Sequence, residues 1–391
     1  MTAEAPATPA EREIRTRIAA RGAISFREFM GLALYHPDGG YYTAGRATTG
    51  AAGDFSTSAD VSPLFGETLS VQAAEVHERL GGGPWQIAEL GPGRGLLADD
   101  LLRGLSDRAP DSYRRLERMT LVEASEPLRR RSIKRIRAAH PDLAVRGVGA
   151  IDEIDDSSIR GLVYANEMLD AVPVCALVRT EEGLAELYVV VGTNGALELA
   201  PRPIADPLGE ELAGRFQLCR RVGDRAEVCP ELDRIVSGIG RVLDEGAVLF
   251  VDYGHEASAL AEPRHAAGTL VAYHRHRVEH DLLARPGRQD LTAHVNWSHL
   301  DVAARDHCLD AAGRVTQDRL LLALGLLDDP VFGDAGRKAS SETLRQRLAA
   351  KRLIMPGEGG GRRFEVAAYV RGIGRDLSGF RPPESWSPPG P

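Results

Sequence analysis

The chain is poor in cysteine, in lysine and in long hydrophobic runs. Its four cysteines, Cys175, Cys219, Cys229 and Cys308, form no CxxC pair, so the sequence predicts neither a zinc site nor a disulfide framework. Lysine occurs only three times among 48 basic residues, and the net charge is -8. A nucleic-acid-binding domain is usually basic. We therefore expect no metal and no nucleic-acid partner.

The N-terminus has no apolar core of the kind that a secretion signal requires. It carries Glu4, Glu11 and Glu13, which are acidic residues that a mitochondrial transit peptide avoids. No apolar run in the chain reaches the length of a membrane span. These absences predict that the protein has no membrane partner and is cytoplasmic.

Strand and helix patterns alternate after residue 80. The candidate strands are residues 85–90, 119–123, 144–148, 162–165 and 247–252, with helical patterns at 96–105, 127–139 and 231–243. Such an alternation is typical of an α/β fold, with a parallel sheet and helices on both of its faces. Residues 174–199 interrupt it with two strand-like runs separated by turn signals, which predict an antiparallel insertion.

The first candidate strand ends in the loop Glu89-Leu90-Gly91-Pro92-Gly93-Arg94-Gly95, and a helix follows. Glycines permit tight turns and let a ligand approach the backbone, while the helix points its free N–H groups at an anion. The methionine carboxylate of S-adenosylmethionine fits as this anion, with Glu89 facing the ammonium group. Glu123, at the end of the next strand, is predicted to hold both ribose hydroxyls.

Two alternatives for this loop are an ordinary glycine-rich turn and a dinucleotide site. The dinucleotide pattern is G-x-G-x-x-G. Here the third glycine comes one position earlier, and an acid stands two residues before the first glycine. Both features favour S-adenosylmethionine.

A second acidic loop, ANEMLDAVP at residues 165–173, follows the fourth candidate strand. Ligands of open α/β sheets bind beyond the carboxyl ends of the strands. Glu167 and Asp170 lie three positions apart, so a tight turn would aim both at a methyl acceptor. A guanidinium presents a planar fork of donors that matches carboxylates, which favours arginine as the acceptor. The alternative is that both residues are capping or turn acids on the surface.

Taken in order, these motifs resemble those of the MidA-like class I S-adenosylmethionine-dependent methyltransferases, a family with a mitochondrial branch. The shared motifs are LYHP at 34–37, GYY at 40–42, GDFSTS at 53–58, FGE at 65–67, ELGPGRG at 89–95, ANEMLDAVP at 165–173, DYG at 252–254 and DLTAHV at 290–295. The chain departs from the family's usual residues at Ala59, Asp60, Met168 and Val172.

The resemblance implies a class I methyltransferase Rossmann-like sheet with an N-terminal helical extension and inserted antiparallel β elements. The loop at Gly53, Asp54 and Phe55 would lie over the cofactor. We expect an N-terminal extension with this covering loop at 1–80 and a cofactor-binding half at 81–173. We expect an inserted β region at 174–230. The rest of the catalytic domain, with segments that cover the substrate, is expected at 231–391.

The predicted site residues form three groups. The catalytic candidates are Glu167 and Asp170. The candidates for binding S-adenosylmethionine are Gly53, Asp54, Phe55, Glu89, Gly91, Pro92, Gly93, Arg94, Gly95, Glu123 and Asn166. The candidates for binding the substrate are Tyr41, Tyr253 and His294, and the alternative for Tyr253 and His294 is a packing role.

The predicted activity is methylation of an arginine side chain in a protein or peptide acceptor. One alternative is an N- or O-methyltransferase that acts on a small molecule or a peptide natural product. Another is an assembly factor that keeps the fold without turnover, which the intact glycine loop and both loop acids oppose. A homodimer is the candidate oligomer.

Overall fold

The computed structural model of the protein describes residues 6–44, 57–275, 277–333, 340–355 and 361–381. The helices are α1 Pro9–Arg21, α2 Phe26–Tyr35, α3 Ser58–Val61, α4 Leu64–Arg79, α5 Leu96–Arg108, α6 Pro110–Arg114, α7 Glu126–Ala139, α8 Pro207–Arg215, α9 Glu231–Val242, α10 Ala257–Leu260, α11 Trp297–Asp306, α12 Gln317–Ala323 and α13 Ser341–Ile354.

The strands contribute to one large and three smaller sheets. They are β1 Ile24–Ser25, β2 Trp85–Leu90, β3 Leu116–Val122, β4 Ala144–Val148, β5 Ile159–Asn166, β6 Cys175–Arg179, β7 Leu184–Val191, β8 Leu197–Arg202, β9 Arg225–Val228, β10 Leu243–Asp252, β11 Gly254–His255, β12 Val271–His274, β13 Arg277–Glu279, β14 Asp290–Thr292, β15 Val295–Asn296, β16 Asp310–Thr316 and β17 Glu365–Arg371.

The central sheet has the strand order β16-β17-β10-β5-β2-β3-β4. The five strands from β10 to β4 are parallel, and β17 pairs antiparallel with both β10 and β16. The α/β fold expected from the alternating patterns is therefore confirmed. The chain runs outward from β2 through β3 and β4 on one side, and from β5 to β10 on the other. This reversal beside β2 is where an open α/β sheet forms a ligand crevice.

Apolar cores cover both faces of the central sheet. Ile87 and Leu249 pack on the face that carries α4 and α5, whereas Ala88 and Val248 pack on the face that carries α9 and α11. Neighbouring residues of a strand point to opposite faces. Burial on both faces therefore explains why these strands read as continuous apolar runs.

A second sheet is built by the predicted insertion. Its order is β1-β7-β6-β9, with β8 paired to β7, and every pairing is antiparallel. The antiparallel insertion is thus confirmed. The short strand β1 joins this sheet from the N-terminal extension, where Ile24 pairs with Val189. The division of the chain into four parts remains a prediction.

No helix in the described parts of the chain is long and apolar enough to cross a membrane.

Candidate active site

A cavity of about 720 Å³ opens at the carboxyl ends of β2, β3 and β5. It lies at the chain reversal beside β2. The predicted site residues that line it are Glu89, Gly91, Pro92, Gly93, Arg94, Glu123, Asn166 and Glu167. The structure therefore brings the glycine loop, the acid of the next strand and the first acid of the acceptor loop to one space.

The backbone of the glycine loop requires glycine at three positions. Gly91, Gly93 and Gly95 have φ values of 67°, 51° and 73°, in the left-handed region that other residues rarely adopt. A Cβ atom at Gly91 would lie 2.7 Å from Cγ of Met168. At Gly93, by contrast, a Cβ atom would meet no described atom within 4 Å and would point into open space. Gly93 therefore keeps room for a ligand.

Two buried acids stand beside this loop. Glu89 is 2% exposed, and burial raises its pKa to about 8, although the Tyr164 hydroxyl opposes the rise. Glu123 is held by the backbone, since its carboxylate accepts hydrogen bonds from the N–H groups of Gly93 (3.2 Å) and Ser125 (2.9 Å). Burial also raises the pKa of Glu123, and these bonds offset part of the increase.

Two buried acceptor atoms in this part of the site lack a partner. Within the described ranges, Oε2 of Glu89 and Oδ1 of Asn166 receive no hydrogen bond. A buried acceptor without a donor costs free energy, so both atoms fit a ligand that donates. The ammonium group of S-adenosylmethionine is such a donor. The residues present thus fit this cofactor.

Glu167 occupies a strained position next to the cavity. Its φ is 49°, a value that is uncommon for residues other than glycine. Its Oε1 atom accepts hydrogen bonds from the Ser58 N–H (2.8 Å) and from Nδ2 of Asn166 (3.2 Å). Burial raises the pKa of Glu167 to about 8. Strain of this kind clusters at functional sites, and here it turns a carboxylate toward the cavity.

The Ser58 N–H is aimed by the short helix α3. Thr57 and Asp60 form a reciprocal capping box at its start, which fixes the first turn. Asp60 also forms an ion pair with Arg94 of the glycine loop. The cofactor loop, α3 and the acceptor loop are therefore joined by polar contacts.

Asp170 lies behind the cavity wall instead of lining it. It is 6% exposed, and burial raises its pKa to about 6, while a hydrogen bond from the Tyr253 hydroxyl opposes this. The turn is fixed by Asp252, a residue that sequence reasoning missed. The carboxylate of Asp252 accepts hydrogen bonds from the N–H groups of Leu169 (2.9 Å), Asp170 (3.3 Å) and Tyr253 (2.9 Å). The motif DYG was the available signal for it.

Tyr253 and His294 pack against each other and, like Asp170, are not among the residues that line the cavity. Their ring centroids are 5.3 Å apart in an edge-to-face arrangement, and Tyr253 is 7% exposed. Burial lowers the pKa of His294 to about 4, helped by the charges of His255 and Arg363. These two predicted substrate residues therefore lie together.

Tyr41 does not reach the cavity. It is fully buried among the apolar residues of α1 and α2, and its assignment to the substrate stays a prediction. Its neighbour Tyr42 lines the cavity together with Tyr35. The Tyr35 hydroxyl donates to the carbonyl of Ala171 (3.1 Å), and the Tyr42 hydroxyl donates to the carboxylate of Asp290 (2.8 Å). Sequence reasoning missed both residues, although the GYY motif pointed to the segment.

The remaining cofactor candidates are placed as follows. Gly95 precedes α5 and packs against Ser132. Gly53, Asp54 and Phe55 lie outside the described residues. In the ranges that the structure covers, no group of three or more His, Cys, Asp or Glu residues is placed to hold a metal ion.

Comparison with known proteins agrees with this geometry. Residues 68–315 match the family described as "Putative S-adenosyl-L-methionine-dependent methyltransferase". The mitochondrial protein arginine methyltransferase NDUFAF7 of Homo sapiens is 27% identical over 390 residues, covering 94% of this chain and 85% of the relative. The Danio rerio protein of the same name is 30% identical over 341 residues, covering 81% and 76%.

A solved structure from Burkholderia thailandensis is also similar. It is bound to S-adenosyl-homocysteine, is 30% identical in sequence and has a TM-score of 0.82, with 94% of this chain and 93% of that chain covered. The likeness therefore extends over nearly all of both chains.

The relatives correct one expectation. The bovine, mouse and human proteins are all named as mitochondrial. The cytoplasmic location, which was inferred from three acidic residues near the N-terminus, is therefore wrong.

The resemblance to MidA-like methyltransferases is confirmed by these relatives. The family match spans more than half of the 391 residues and includes both functional loops. The chain therefore belongs to this family of S-adenosyl-L-methionine-dependent methyltransferases, with S-adenosylmethionine as its cofactor.

Proposed function

We propose that the protein transfers a methyl group to a nitrogen of an arginine side chain in a protein or peptide. The observation that carries this proposal is the position of Glu167, whose carboxylate lines the same cavity as the glycine loop. Relatives that match over almost the whole chain are named protein arginine methyltransferases, which supports the same acceptor.

We expect charge to couple acceptor binding to the ionisation of Glu167. Burial raises the pKa of this residue to about 8 in the empty protein. A guanidinium stays charged at neutral pH, and an opposite charge nearby favours the ionised carboxylate. The arriving cation would therefore lower the pKa of Glu167, so that its proton passes to solvent and the carboxylate forms a charge-assisted pair with the guanidinium.

The chain's own residues would then align the acceptor nitrogen. When bound, S-adenosylmethionine supplies an electrophilic methyl group. Asn166 and the Ser58 N–H hold one oxygen of Glu167, which leaves the other oxygen for the guanidinium. As the N–C bond forms, the bond between the methyl carbon and the sulfonium sulfur would break, and the proton that the guanidinium nitrogen loses can pass to this carboxylate. Alignment of this kind accounts for much of the rate in well-oriented reactions.

Asp170 and Tyr253 are proposed to support the acceptor from behind. The Tyr253 hydroxyl donates to Asp170, and Asp252 fixes the turn between them. We propose that Asp170 adds negative charge that favours a cationic acceptor, while Glu167 makes the direct contact.

Labelled methyl transfer tests the proposal. The purified protein is incubated with S-adenosylmethionine carrying a labelled methyl group and with an undermethylated protein extract, and the proteins are then hydrolysed to amino acids. Label is expected in methylarginines. It should disappear with Glu167→Gln and persist with Glu181→Gln, an exposed turn acid that serves as the control. Label confined to small molecules, or to residues other than arginine, would contradict an arginine acceptor.

A further inference from the structure

An exposed cation, Arg363, lies over Tyr253, the aromatic residue next to Asp170. The guanidinium of Arg363 sits over the ring of Tyr253, 5.0 Å from its centroid, and donates to the Tyr273 hydroxyl at 2.8 Å. Both partners are neutral, and none of the ion pairs among the described residues includes Arg363. Its charge is therefore held in place without being neutralised.

This cation is close enough to influence the acceptor acids. The hydroxyl of the same Tyr253 ring lies next to Asp170 and lowers the pKa of that carboxyl. The charge of Arg363 opposes the rise that burial causes in the pKa of Asp170, and Glu167 acts electrostatically on Arg363. Tyr253 thus lies between the acids of the acceptor loop, Glu167 and Asp170, and the positive charge of Arg363.

We propose that Arg363 forms a subsite for an acidic side chain that lies next to the target arginine of the acceptor. This inference rests on the proposed function, because it assumes a guanidinium at Glu167. The Arg363 guanidinium lies 5.0 Å from the Tyr253 ring centroid, and one residue of extended peptide spans about 3.3–3.6 Å, so we place the acidic side chain one or two residues from the target arginine. A planar guanidinium binds a carboxylate through two parallel hydrogen bonds, and the Tyr253 ring and the Tyr273 hydroxyl hold the guanidinium of Arg363 in place. A basic neighbour would be repelled at the same place.

The neighbouring residue provides a matched control. The side chain of Arg362 is 74% exposed, and its Nε atom lies 3.4 Å from the carboxylate of Asp318. Arg362 therefore carries the same charge one position away but already has an acidic partner. If substitution of Arg363 removes the preference for acidic peptides and substitution of Arg362 does not, the preference comes from local recognition and not from the overall surface charge.

A degenerate peptide library tests the inference. Heptapeptides with a central arginine and mixed flanking residues are incubated with labelled S-adenosylmethionine, and the methylated fraction is sequenced. The wild type and Arg362→Gln should enrich Asp and Glu about tenfold at one or two positions beside the arginine. Arg363→Gln should lose this enrichment, and Arg363→Lys should recover part of it. Tyr273→Phe, which removes the hydroxyl that orients Arg363, should weaken the preference.

Each other outcome has a distinct meaning. Methylation without any acidic preference in the wild type overturns the subsite and leaves the arginine acceptor intact. Faster methylation of all peptides by Arg363→Gln overturns it as well, because Arg363 would then obstruct the site. Failure of the wild type to methylate any peptide counts against the proposed function itself. Binding of S-adenosyl-homocysteine by each variant verifies that it is folded.

Discussion

At the scale of single residues, burial controls the charge of the acids around the cavity. Glu89 and Glu167 both have a pKa of about 8, and Asp170 has one of about 6, in each case chiefly because of burial. The two glutamates are therefore largely protonated at neutral pH in the empty protein. A cationic ligand or acceptor restores their charge, so binding and ionisation are linked.

Glu167→Gln is the most direct test of the acceptor site. The amide keeps the shape and still accepts the Ser58 N–H, but it cannot form a charge-assisted pair with a guanidinium. Turnover should fall on the order of 100-fold or more, while affinity for S-adenosyl-homocysteine stays nearly unchanged. Single-turnover kinetics and calorimetry measure the two effects, with Glu181→Gln as the control. Asp170→Asn should be milder, because the Tyr253 hydroxyl can still donate to the amide oxygen. Full activity of Glu167→Gln would rule out the carboxylate mechanism.

The pH dependence of kcat/KM for the acceptor should follow the ionisation of Glu167. At saturating S-adenosylmethionine, Glu89 is already paired with the cofactor. The free acceptor site then needs Glu167 in its ionised form, and the pKa of Glu167 is about 8 in the empty protein and lower beside the positive sulfonium of the cofactor. We therefore expect kcat/KM to rise with pH from 6 and to level off above about 8. A profile that is flat across this range would show that Glu167 does not have to ionise.

Some site residues could be predicted from sequence and others could not. Glu89 lies near the end of the parallel strand β2, and Glu123 and Glu167 directly follow β3 and β5. The carboxyl ends of parallel strands meet at one edge of the sheet. Asp252 also ends a strand, but only its hydrogen bonds to the acceptor loop reveal its role. In the turn at 40–42 no periodicity indicates which side chain faces inward, so Tyr41 was chosen where Tyr42 lines the cavity.

At the scale of elements, apolar patterns predicted the parallel strands of the central sheet but missed the antiparallel edge strand β16. The expected boundaries of β2 and β4 match the structure. The strand β16 was not predicted, because its sequence DAAGRVT has no clear alternation and its residues are at most half-buried. It forms through pairing with β17, whose partner residues lie about 50 to 60 positions further along the chain. Such a long-range contact leaves no local pattern.

The turn that joins β2 to α5 can be tested with a pair of glycine variants. Gly93→Val should abolish binding of S-adenosyl-homocysteine, because the new side chain enters the ligand space. Gly82 is the matched control. It also has a positive φ (69°), and a Cβ atom at this position would meet no described atom within 4 Å, but Gly82 does not line the cavity. Both substitutions strain the backbone by roughly 1–2 kcal/mol. Calorimetry should therefore show loss of binding for Gly93→Val alone, and equal binding by both variants would contradict the ligand position.

At the scale of the whole molecule, distant parts of the chain close the site. The Ser58 hydroxyl donates to the side chain of Gln317 (2.7 Å), and Tyr35 of the N-terminal extension bonds to the carbonyl of Ala171. The extension also adds β1 to the inserted sheet. The central sheet supplies the glycine loop and the acids, whereas the extension supplies part of the cover. We infer that truncation of the extension would open the cavity as well as remove α1 and α2.

The stability of the empty protein should fall as the pH rises from 6.5 to 8. In the folded state the pKa of Glu89 is about 8, against an ordinary value of 4.5, so over this range the folded state binds more protons than the unfolded state. The free energy of unfolding then decreases with pH, by at most about 1.4 kcal/mol per pH unit for this residue. The histidines whose pKa is shifted, such as His294, have a lowered pKa. They therefore affect the pH dependence of stability mainly below about pH 6.5.

Denaturant unfolding at pH 6.5 and pH 8 measures this loss. Glu89→Gln should reduce the dependence, and Glu167, whose pKa is also about 8, should account for part of what remains. The substitution should also make the empty protein more stable than the wild type at pH 8, because the buried amide never has to ionise. S-adenosylmethionine should stabilise the wild type more at pH 8 than at pH 6.5, since its ammonium group pairs with the ionised carboxylate, and Glu89→Gln should lose this difference. If Glu89→Gln kept the pH dependence of the wild type, Glu89 would not be the buried acid that links cofactor binding to stability.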